Sequence, residues 1–232
     1  MSNNASALFL VYERLFAHYG PQHWWPAQTP FEVMVGAVLT QNTAWSRVER
    51  AIAALRQHGS LSAEALLALE PQTLGELIRP AGYYTIKTRR LQALCQWYLA
   101  QGGFAALQGW ETPRLRTELL AIHGVGPETA DDILLYAFER PVFVIDAYTR
   151  RIGSRLGLLE AKAPYETLRQ QFEQALGLDT VLFKEYHALI VAHAKAFCRV
   201  RPRCQGCMLV QYCAVLCHCG ERPLGEAGAA ID

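Results

Sequence analysis

Six of the seven cysteines of this 232-residue chain lie between Cys198 and Cys219. Four of them follow the spacing C-x5-C-x2-C-x5-C: Cys198, Cys204, Cys207 and Cys213. Four thiolates in one short, turn-rich loop can converge on a single inorganic centre. Zinc sites more often pair two C-x2-C knuckles, whereas one tight pair flanked by single cysteines favours a 4Fe-4S cluster. A zinc site and a set of merely buried cysteines remain the alternatives.

The surroundings of these cysteines favour metal ligation over disulfides. The N-terminal segment has no basic region ahead of its apolar residues and does not resemble a secretion signal, so we expect a reducing, cytoplasmic location near the bacterial nucleoid. Cys217 and Cys219 are expected to be spare thiols beside a loose, Gly- and Ala-rich tail over residues 220–232.

A second chemical signal is the turn HGVGPETA over residues 123–130, which lies between two predicted helices. Gly124 and Gly126 permit unusual backbone angles, so the turn can present bare N–H groups to a phosphate. A G-x-G turn alone is weak evidence, because many helix pairs turn on glycine. The extended segment 141–145 then delivers Asp146 to the start of another helix. Asp146 can cap that helix and also serve as a carboxylate beside the phosphate seat.

Apolar residues at helical spacing run through most of the chain and predict an all-α fold. A helix is predicted after Asp146, and the others cover residues 5–18, 31–38, 44–55, 62–68, 72–78, 85–99, 112–121, 127–138, 164–176 and 180–197. No apolar run is long enough to span a membrane, so no membrane partner is expected. The net charge is +1, so any surface that binds nucleic acid must be local.

The segment GVGPETADDILLYAFERPVFVIDAYTRRIGSRLGL, residues 124–158, resembles the hairpin, following helix and Gly/Pro-to-Asp loop of the helix-hairpin-helix DNA glycosylases of the endonuclease III superfamily. The cysteine quartet resembles the 4Fe-4S loop of that family, although the first spacer has five residues where the family usually has six. The resemblance covers residues 21–213. Hairpin, aspartate and cysteine loop in this order form a specific combination.

The resemblance implies two helical subdomains. One is a six-helix barrel that contains the hairpin, over residues 30–145. The other is an iron–sulfur domain built from residues 1–29 and 146–219, followed by the flexible tail. The hairpin would contact DNA phosphates through four residues: Gly124, Val125, Gly126 and Thr129.

Asp146 and Glu128 are the catalytic residues that the resemblance implies. In bifunctional members of the family, a lysine stands two residues after the second hairpin glycine and attacks the sugar C1′. Glu128 occupies that position here and cannot form an imine, so AP lyase activity should be missing. Glu128 could also simply favour the helix N-terminus. Lys87 is the nearest candidate to replace the amine, although we interpret it, with its arginine neighbours, as a phosphate contact or a solvated face.

The segment HWWPAQTPFEVMVGAVLTQNTAW, residues 23–45, is similar to the corresponding stretch of endonuclease III-like 3-methyladenine DNA glycosylases. This similarity implies an aromatic pocket made by Trp24, Trp25 and Trp45. A purine made cationic by N3-methylation would stack between Trp24 and Trp45 and gain a cation–π term. Either of the adjacent tryptophans could instead cap the core.

The segment RPAGYYTIKTRRL, residues 79–91, looks like the family's loop that pushes a side chain into the gap left by a flipped base. By position the wedge is Tyr83. Gln41 and Asn42 are both candidates for filling the space opposite the orphaned base, and the sequence does not choose between them.

Together these resemblances imply a monomeric base-excision enzyme for damaged double-stranded DNA. It would flip an alkylated purine such as 3-methyladenine into the pocket and hydrolyse the N-glycosidic bond, leaving an abasic site. One alternative is an endonuclease III-like glycosylase for oxidised pyrimidines or mismatches that has AP lyase activity. Another is a non-catalytic DNA-binding protein, which the retained Asp146 disfavours.

Overall fold

The computed structural model describes residues 3–59 and 61–214, and no β-strand occurs within these ranges. Cys217, Cys219 and the tail lie outside the described residues. Twelve α-helices account for most of the described chain, which confirms the all-α prediction. They are α1 (Asn3–Tyr19), α2 (Pro30–Leu39), α3 (Trp45–Gln57), α4 (Ala63–Ala68), α5 (Pro71–Leu77), α6 (Tyr84–Ala100), α7 (Gly103–Gln108), α8 (Thr112–Ala121), α9 (Pro127–Asp132), α10 (Ala147–Arg155), α11 (Tyr165–Leu176) and α12 (Thr180–Ala196). Within the described ranges, none of these helices has the length and apolarity needed to cross a bilayer.

Two features differ from the sequence prediction. Helix α7 was not predicted, because the glycine pair that ends α6 also starts this short helix. The helix predicted over residues 127–138 begins as α9 and continues as a wider π-helical segment, Ile133–Ala137. Such segments are frequent at functional sites because they shift the direction of the side chains that follow.

Helix α2 lies at the centre of one half of the molecule. Its residues Phe31–Leu39 are all buried, and all are apolar except Glu32, which pairs with Arg56 at 2.7 Å. It packs against α3, α6, α9 and the π-helical segment. In the other half, α1 packs against α11 and α12, and α12 packs against α10. The two-subdomain division at residues 29–30 and 145–146 stays a prediction.

An ion-pair network fixes the hairpin helices relative to α11. Arg116 in α8 donates two hydrogen bonds to the buried carboxylate of Asp131 in α9, at 2.6 and 3.1 Å. The same guanidinium contacts Glu166 at the start of α11 at 2.6 Å. Because Asp131 is buried, removing its cation would leave an unpaired charge, which is strongly destabilising. The network therefore holds the turn between α8 and α9 in a set position.

Within this turn, Gly124 and Gly126 have different requirements, although the sequence suggested the same role for both. Gly124 has a φ of +84°, and a Cβ there would lie 2.6 Å from Cδ and Nε of Arg90. Gly126 has a φ of −94°, and a Cβ there would meet nothing within 4 Å. Only Gly124 therefore needs to be glycine.

We expect Gly124→Ser to lower the free energy of unfolding by about 1–2 kcal/mol, the cost of a left-handed residue with a Cβ. Gly126→Ser is the matched control and should stay within about 0.5 kcal/mol of the parent, because serine is a good N-cap residue and has room here. Chemical denaturation of both variants measures the difference. Equal losses of stability in the two variants would contradict the conclusion that only Gly124 needs to be glycine.

Candidate functional site

A pocket of about 880 Å³ opens where α3, α9, α10 and α12 approach one another beside the loop before α2. It brings the two predicted catalytic residues, Glu128 and Asp146, together with the three predicted aromatic residues, Trp24, Trp25 and Trp45. These residues come from four separate parts of the chain. The pocket therefore joins motifs that the sequence only suggested were related.

The three tryptophans contact one another directly. The ring centroids of Trp24 and Trp45 are 4.6 Å apart at an interplanar angle of 69°, and those of Trp25 and Trp45 are 5.1 Å apart at 87°. A stacked base needs its two neighbouring rings roughly 7 Å apart, twice an ordinary van der Waals separation. The predicted slot between Trp24 and Trp45 is therefore closed in this structure. Trp25 also packs over Gly36, where a Cβ would meet the indole at 3.1 Å.

Asp146 combines deep burial with a negative charge. It is the N-cap of α10, as predicted, and its Oδ1 accepts a hydrogen bond from the Thr149 N–H at 2.6 Å. The residue is only 8% exposed. Burial alone would raise the pKa of Asp146, but contacts with His187 and Thr149 outweigh it and hold the pKa below its ordinary value.

His187 is a site residue that the sequence analysis missed. Its Nε2 lies 3.6 Å from Oδ2 of Asp146, and its Nδ1 lies 2.8 Å from the Tyr136 hydroxyl. That hydroxyl is also 3.3 Å from the carbonyl oxygen of Lys184 and can donate to it. An imidazolium suits these neighbours, because Nδ1–H can donate to Tyr136 while Nε2–H, which has no hydrogen-bond partner among the described residues, faces the carboxylate of Asp146.

The charges around His187 favour this protonated form. Burial alone would lower the pKa of His187, but Asp146, Asp132 and Glu128 together raise it above its ordinary value. Asp146 and His187 therefore form a buried pair in which each group stabilises the charge of the other.

Two further carboxyl groups line the pocket near Asp146, those of Asp132 and Glu128. Asp132 is buried, and its Oδ1 has no hydrogen-bond partner among the described residues. Burial, with Glu128 and Asp146 adding to it, raises the pKa of Asp132 well above its ordinary value, so the neutral carboxyl is favoured. Partial burial in the pocket and the charge of Asp146 also raise the pKa of Glu128.

Helix α12 supplies one wall of the pocket through His187, Val191 and Lys195, which are spaced four residues apart. This spacing places them on one helical face. Burial lowers the pKa of Lys195, although the charges of Asp146 and Glu49 oppose the shift. The pocket therefore contains an amine that the sequence analysis did not identify.

Lys87 differs from its prediction as a phosphate contact. It is 1% exposed, and its ammonium donates hydrogen bonds to Leu39 O at 2.7 Å, Thr43 Oγ1 at 2.6 Å and Ala81 O at 2.9 Å. Burial, with Arg90 nearby, lowers the pKa of Lys87 to about 8. Its amine can neither touch a phosphate nor reach a sugar in this arrangement.

Two of the four predicted hairpin contacts are also buried. The side chain of Val125 belongs to the core, and its N–H is already bonded to Ile122 O at 3.0 Å. The Thr129 hydroxyl accepts from Nε2 of Gln41 at 2.9 Å. Gly126 is exposed, and Gly124 is partly exposed. The hairpin surface that a ligand can reach is therefore smaller than predicted.

The structure distinguishes Gln41 from Asn42 as candidates for filling the gap, and it leaves the predicted wedge, Tyr83, exposed. The amide of Gln41 is held by the hairpin, because its Nε2 also donates to Gly124 O at 3.0 Å and its Oε1 accepts from Arg90. Asn42 is exposed and left-handed, with a φ of 54°. Tyr83 is left-handed too, with a φ of 48°, and it is 67% exposed.

The four predicted metal ligands line a second cavity of about 250 Å³ between α10, α12 and the segment that follows α12. Arg155 donates to Cys198 Sγ at 3.3 Å, and Nε2 of His193 lies 3.6 Å from Cys207 Sγ. Within the described ranges, no three His, Cys, Asp or Glu side chains are arranged to hold a single metal ion.

The cavity can nevertheless hold more than one atom. Its volume and its four cysteines fit a polynuclear cluster better than one ion, because a cluster spreads its ligands around a larger core. Positive and neutral donors next to the sulfurs, from Arg155 and His193, are typical of thiolates that bind metal.

The proteins that resemble this chain in sequence are DNA repair proteins. A model of the HhH-GPD superfamily of base excision DNA repair proteins matches residues 35–177. A protein of Methanocaldococcus jannaschii that is named a DNA repair glycosylase is 46% identical over 214 residues, covering 91% of this chain and 97% of that protein. Endonuclease III of Thermotoga maritima is 29% identical over 187 residues, covering 79% and 82% of the two chains.

Solved structures show the same fold. The 3-methyladenine DNA glycosylase of H. pylori bound to 1,N6-ethenoadenine matches with a TM-score of 0.71 and 27% identity, over 83% of this chain and 97% of that chain. A non-covalent endonuclease III–DNA complex matches with a TM-score of 0.76 and 21% identity, over 90% and 95%.

The pairing of Asp146 with His187 predicts a shift in acid titration. In His187→Gln, burial is no longer offset by a cation, so the pKa of Asp146 should rise above its ordinary value. Ionised Asp146 stabilises the parent, and this stability is lost as the pH falls through its lowered pKa. In the variant the sign reverses, and acidification through the raised pKa adds stability. Carboxyl-carbon NMR titration of the Asp146 side chain measures the shift.

His58→Gln makes the same substitution at the exposed end of α3 and serves as the control. It should leave the Asp146 titration unchanged. An unchanged titration in His187→Gln as well would contradict the pairing.

Proposed function

The chain belongs to the HhH-GPD superfamily of base excision DNA repair proteins, and we propose that it is a monofunctional DNA glycosylase for alkylated purines such as 3-methyladenine. The observation that carries this proposal is the composition of the 880 Å³ pocket. It joins three indole rings and several carboxyl groups around a buried, ionised aspartate.

This pocket suits a base that is both aromatic and positively charged. The faces of Trp24, Trp25 and Trp45 supply stacking and cation–π attraction. The carboxyl groups of Asp146, Glu128 and Glu49 line the same pocket and offset the positive charges of His187 and Lys195. Because Trp24 and Trp45 touch in this structure, the proposal requires these rings to separate when the base enters.

Asp146 is the catalytic residue of the proposed reaction. Cleavage of the N-glycosidic bond leaves positive charge on the sugar, and a fixed carboxylate stabilises that charge as it develops. Asp146 also orients or deprotonates the attacking water. A purine methylated at N3 already carries a positive charge and leaves without a general acid, so the products are a free base and an abasic site.

DNA contact is assigned to the exposed part of the hairpin and to the two left-handed loop residues. Gly124 and Gly126 approach the phosphate backbone closely. Tyr83 enters the base stack as the wedge, which is consistent with its high exposure. Asn42 is the better candidate to fill the opposite gap, because the Gln41 amide is already bonded to the hairpin.

The absence of AP lyase activity is part of the proposal. Glu128 stands where bifunctional members have their lysine, and it cannot form an imine. Lys87 is buried and bonded to three acceptors. Lys195 does line the pocket, so it is the amine to examine if covalent chemistry is found.

The cysteine cavity is proposed to hold a 4Fe-4S cluster through Cys198, Cys204, Cys207 and Cys213. When bound, such a cluster would supply structural cross-linking and no step of base excision. The exposed residues Arg199, Arg201 and Arg203 stand between the first two of these cysteines, so an ordered centre would hold all three near the DNA backbone.

Incubation with methylated duplex DNA should release 3-methyladenine and leave strands that break only after alkali treatment. Borohydride should trap no covalent protein–DNA adduct. Asp146→Asn should bind the lesion but release it about 10²–10³-fold more slowly, because the preorganised charge is lost. Chromatography measures the released bases, and gel analysis shows strand breaks and any trapped adduct.

Trp24→Ala tests the cationic substrate in the same assay. It should slow release of 3-methyladenine by roughly 5–150-fold, the value of one stacking contact, and slow release of the neutral 1,N6-ethenoadenine less. Efficient cleavage of oxidised pyrimidines with borohydride trapping would contradict the proposal. Loss of that trapping in Lys195→Met would then identify the nucleophile and favour the lyase alternative.

Protein purified without oxygen should be brown, with broad absorbance at about 400 nm and four iron atoms per chain. Cys207→Ser should lose colour and solubility, because a ligand to the centre is removed. Cys95→Ser is the matched control, because Cys95 is buried in the core away from this cavity. A colourless protein with one zinc ion would contradict the cluster.

A further inference from the structure

Lys87 lies beneath the two loops that carry the exposed side chains Asn42 and Tyr83. Its ammonium contacts the carbonyl oxygen of Leu39, which ends α2, and the hydroxyl of Thr43 in the following loop. Its third acceptor is the carbonyl oxygen of Ala81, two residues before the wedge. One buried cation therefore bridges two segments that are about 40 residues apart in sequence.

A second hydrogen bond joins the same two segments. The Thr43 hydroxyl donates to Ala81 O at 2.6 Å while it accepts from the Lys87 ammonium. Lys87, Thr43 and Ala81 thus form a ring of three hydrogen bonds. Within a protein interior, charge-assisted bonds of this kind are strong, and breaking one leaves a buried polar group unsatisfied.

The same helix links these loops to the hairpin. Arg90, one turn after Lys87 in α6, donates to the amide oxygen of Gln41. The amide nitrogen of Gln41 donates in turn to Gly124 O at 3.0 Å and to Thr129 Oγ1 at 2.9 Å. The wedge loop, the Asn42 loop and the hairpin are therefore connected through side chains of α6 and Gln41.

We propose that Lys87 is a positioning residue that makes the two loops one rigid unit, so that Tyr83 and Asn42 enter the duplex together. This inference rests on the proposed function, because it concerns how that enzyme extrudes a base. Without the bridge, each loop would have to be ordered separately on DNA, which costs conformational entropy. Both Asn42 and Tyr83 have left-handed backbones, which persist only where surrounding contacts hold them.

The test compares Lys87→Met with Lys162→Met, the same substitution at an exposed lysine. Two readouts separate loop coupling from a general structural role. One is the fluorescence of 2-aminopurine placed beside a tetrahydrofuran abasic analogue, which rises when a side chain disturbs the stack. The other is release of 3-methyladenine from a methylated oligonucleotide, either single-stranded or annealed to its complement at room temperature.

We expect Lys87→Met to reduce the fluorescence rise and to slow release from the duplex by about 10- to 100-fold, the effect of a misplaced catalytic geometry. Release from single strands should fall by less than about threefold, because no base has to leave a duplex stack there. Affinity for undamaged duplex should be unchanged, because the ammonium is 1% exposed. Lys162→Met should behave as the parent in all of these measurements.

Equal losses on duplex and single strands would overturn the proposal, because they would show a defect in the pocket rather than in extrusion. Full duplex release by a folded Lys87→Met would overturn it as well. If that variant does not fold, Thr43→Val removes one acceptor from the ring and should show the same duplex-selective loss. A Thr43→Val protein with parental duplex release would then overturn the proposal.

The two proposals fail differently. A parent protein that releases no 3-methyladenine from either form of DNA would refute the proposed substrate. The 2-aminopurine signal at the abasic analogue needs no excision and would still show whether Lys87 couples the loops.

Discussion

Asp146 is ionised in a position that solvent barely reaches, and several elements converge to make that possible. The first turn of α10 offers the Thr149 N–H to one carboxylate oxygen. Helix α12 places His187 against the other oxygen. The π-helical segment supplies Tyr136, which holds the far side of that imidazole. If any one of these elements were displaced, burial would favour the neutral acid and the site would lose its charge.

The same environment has the opposite effect on Asp132, one helix away. Burial of Asp132 outweighs the attraction of His187, its Oδ1 has no hydrogen-bond partner among the described residues, and its neutral form is favoured. Two aspartates in one pocket thus adopt different charge states because their hydrogen-bond partners differ. Such separation of neighbouring acids is a recurrent property of enzyme sites.

The helices and the cap at Asp146 could be predicted from the sequence, because periodicity and capping are local properties. That the main motifs lie together was implied only by the family resemblance. The role of Lys87 could not, since an exposed and a buried lysine look alike in the pattern K-T-R-R. The contact between Trp24 and Trp45 depends on how the loop before α2 folds back on α3. His187 and Lys195 are eight residues apart on one face of α12, but the apolar residues between them predicted only a core helix.

Several basic side chains are held inside the protein, and this affects how long the protein stays on DNA. The formal net charge is only +1, Lys87 is buried, and Arg116 and Arg169 are committed to internal ion pairs. Each phosphate that a protein neutralises releases counterions and lengthens its stay on ordinary DNA. A cation held inside cannot neutralise a phosphate, so this chain should leave intact duplex sooner, and with a shallower salt dependence, than one with the same cations exposed. It would therefore survey a genome by many brief visits rather than by long slides.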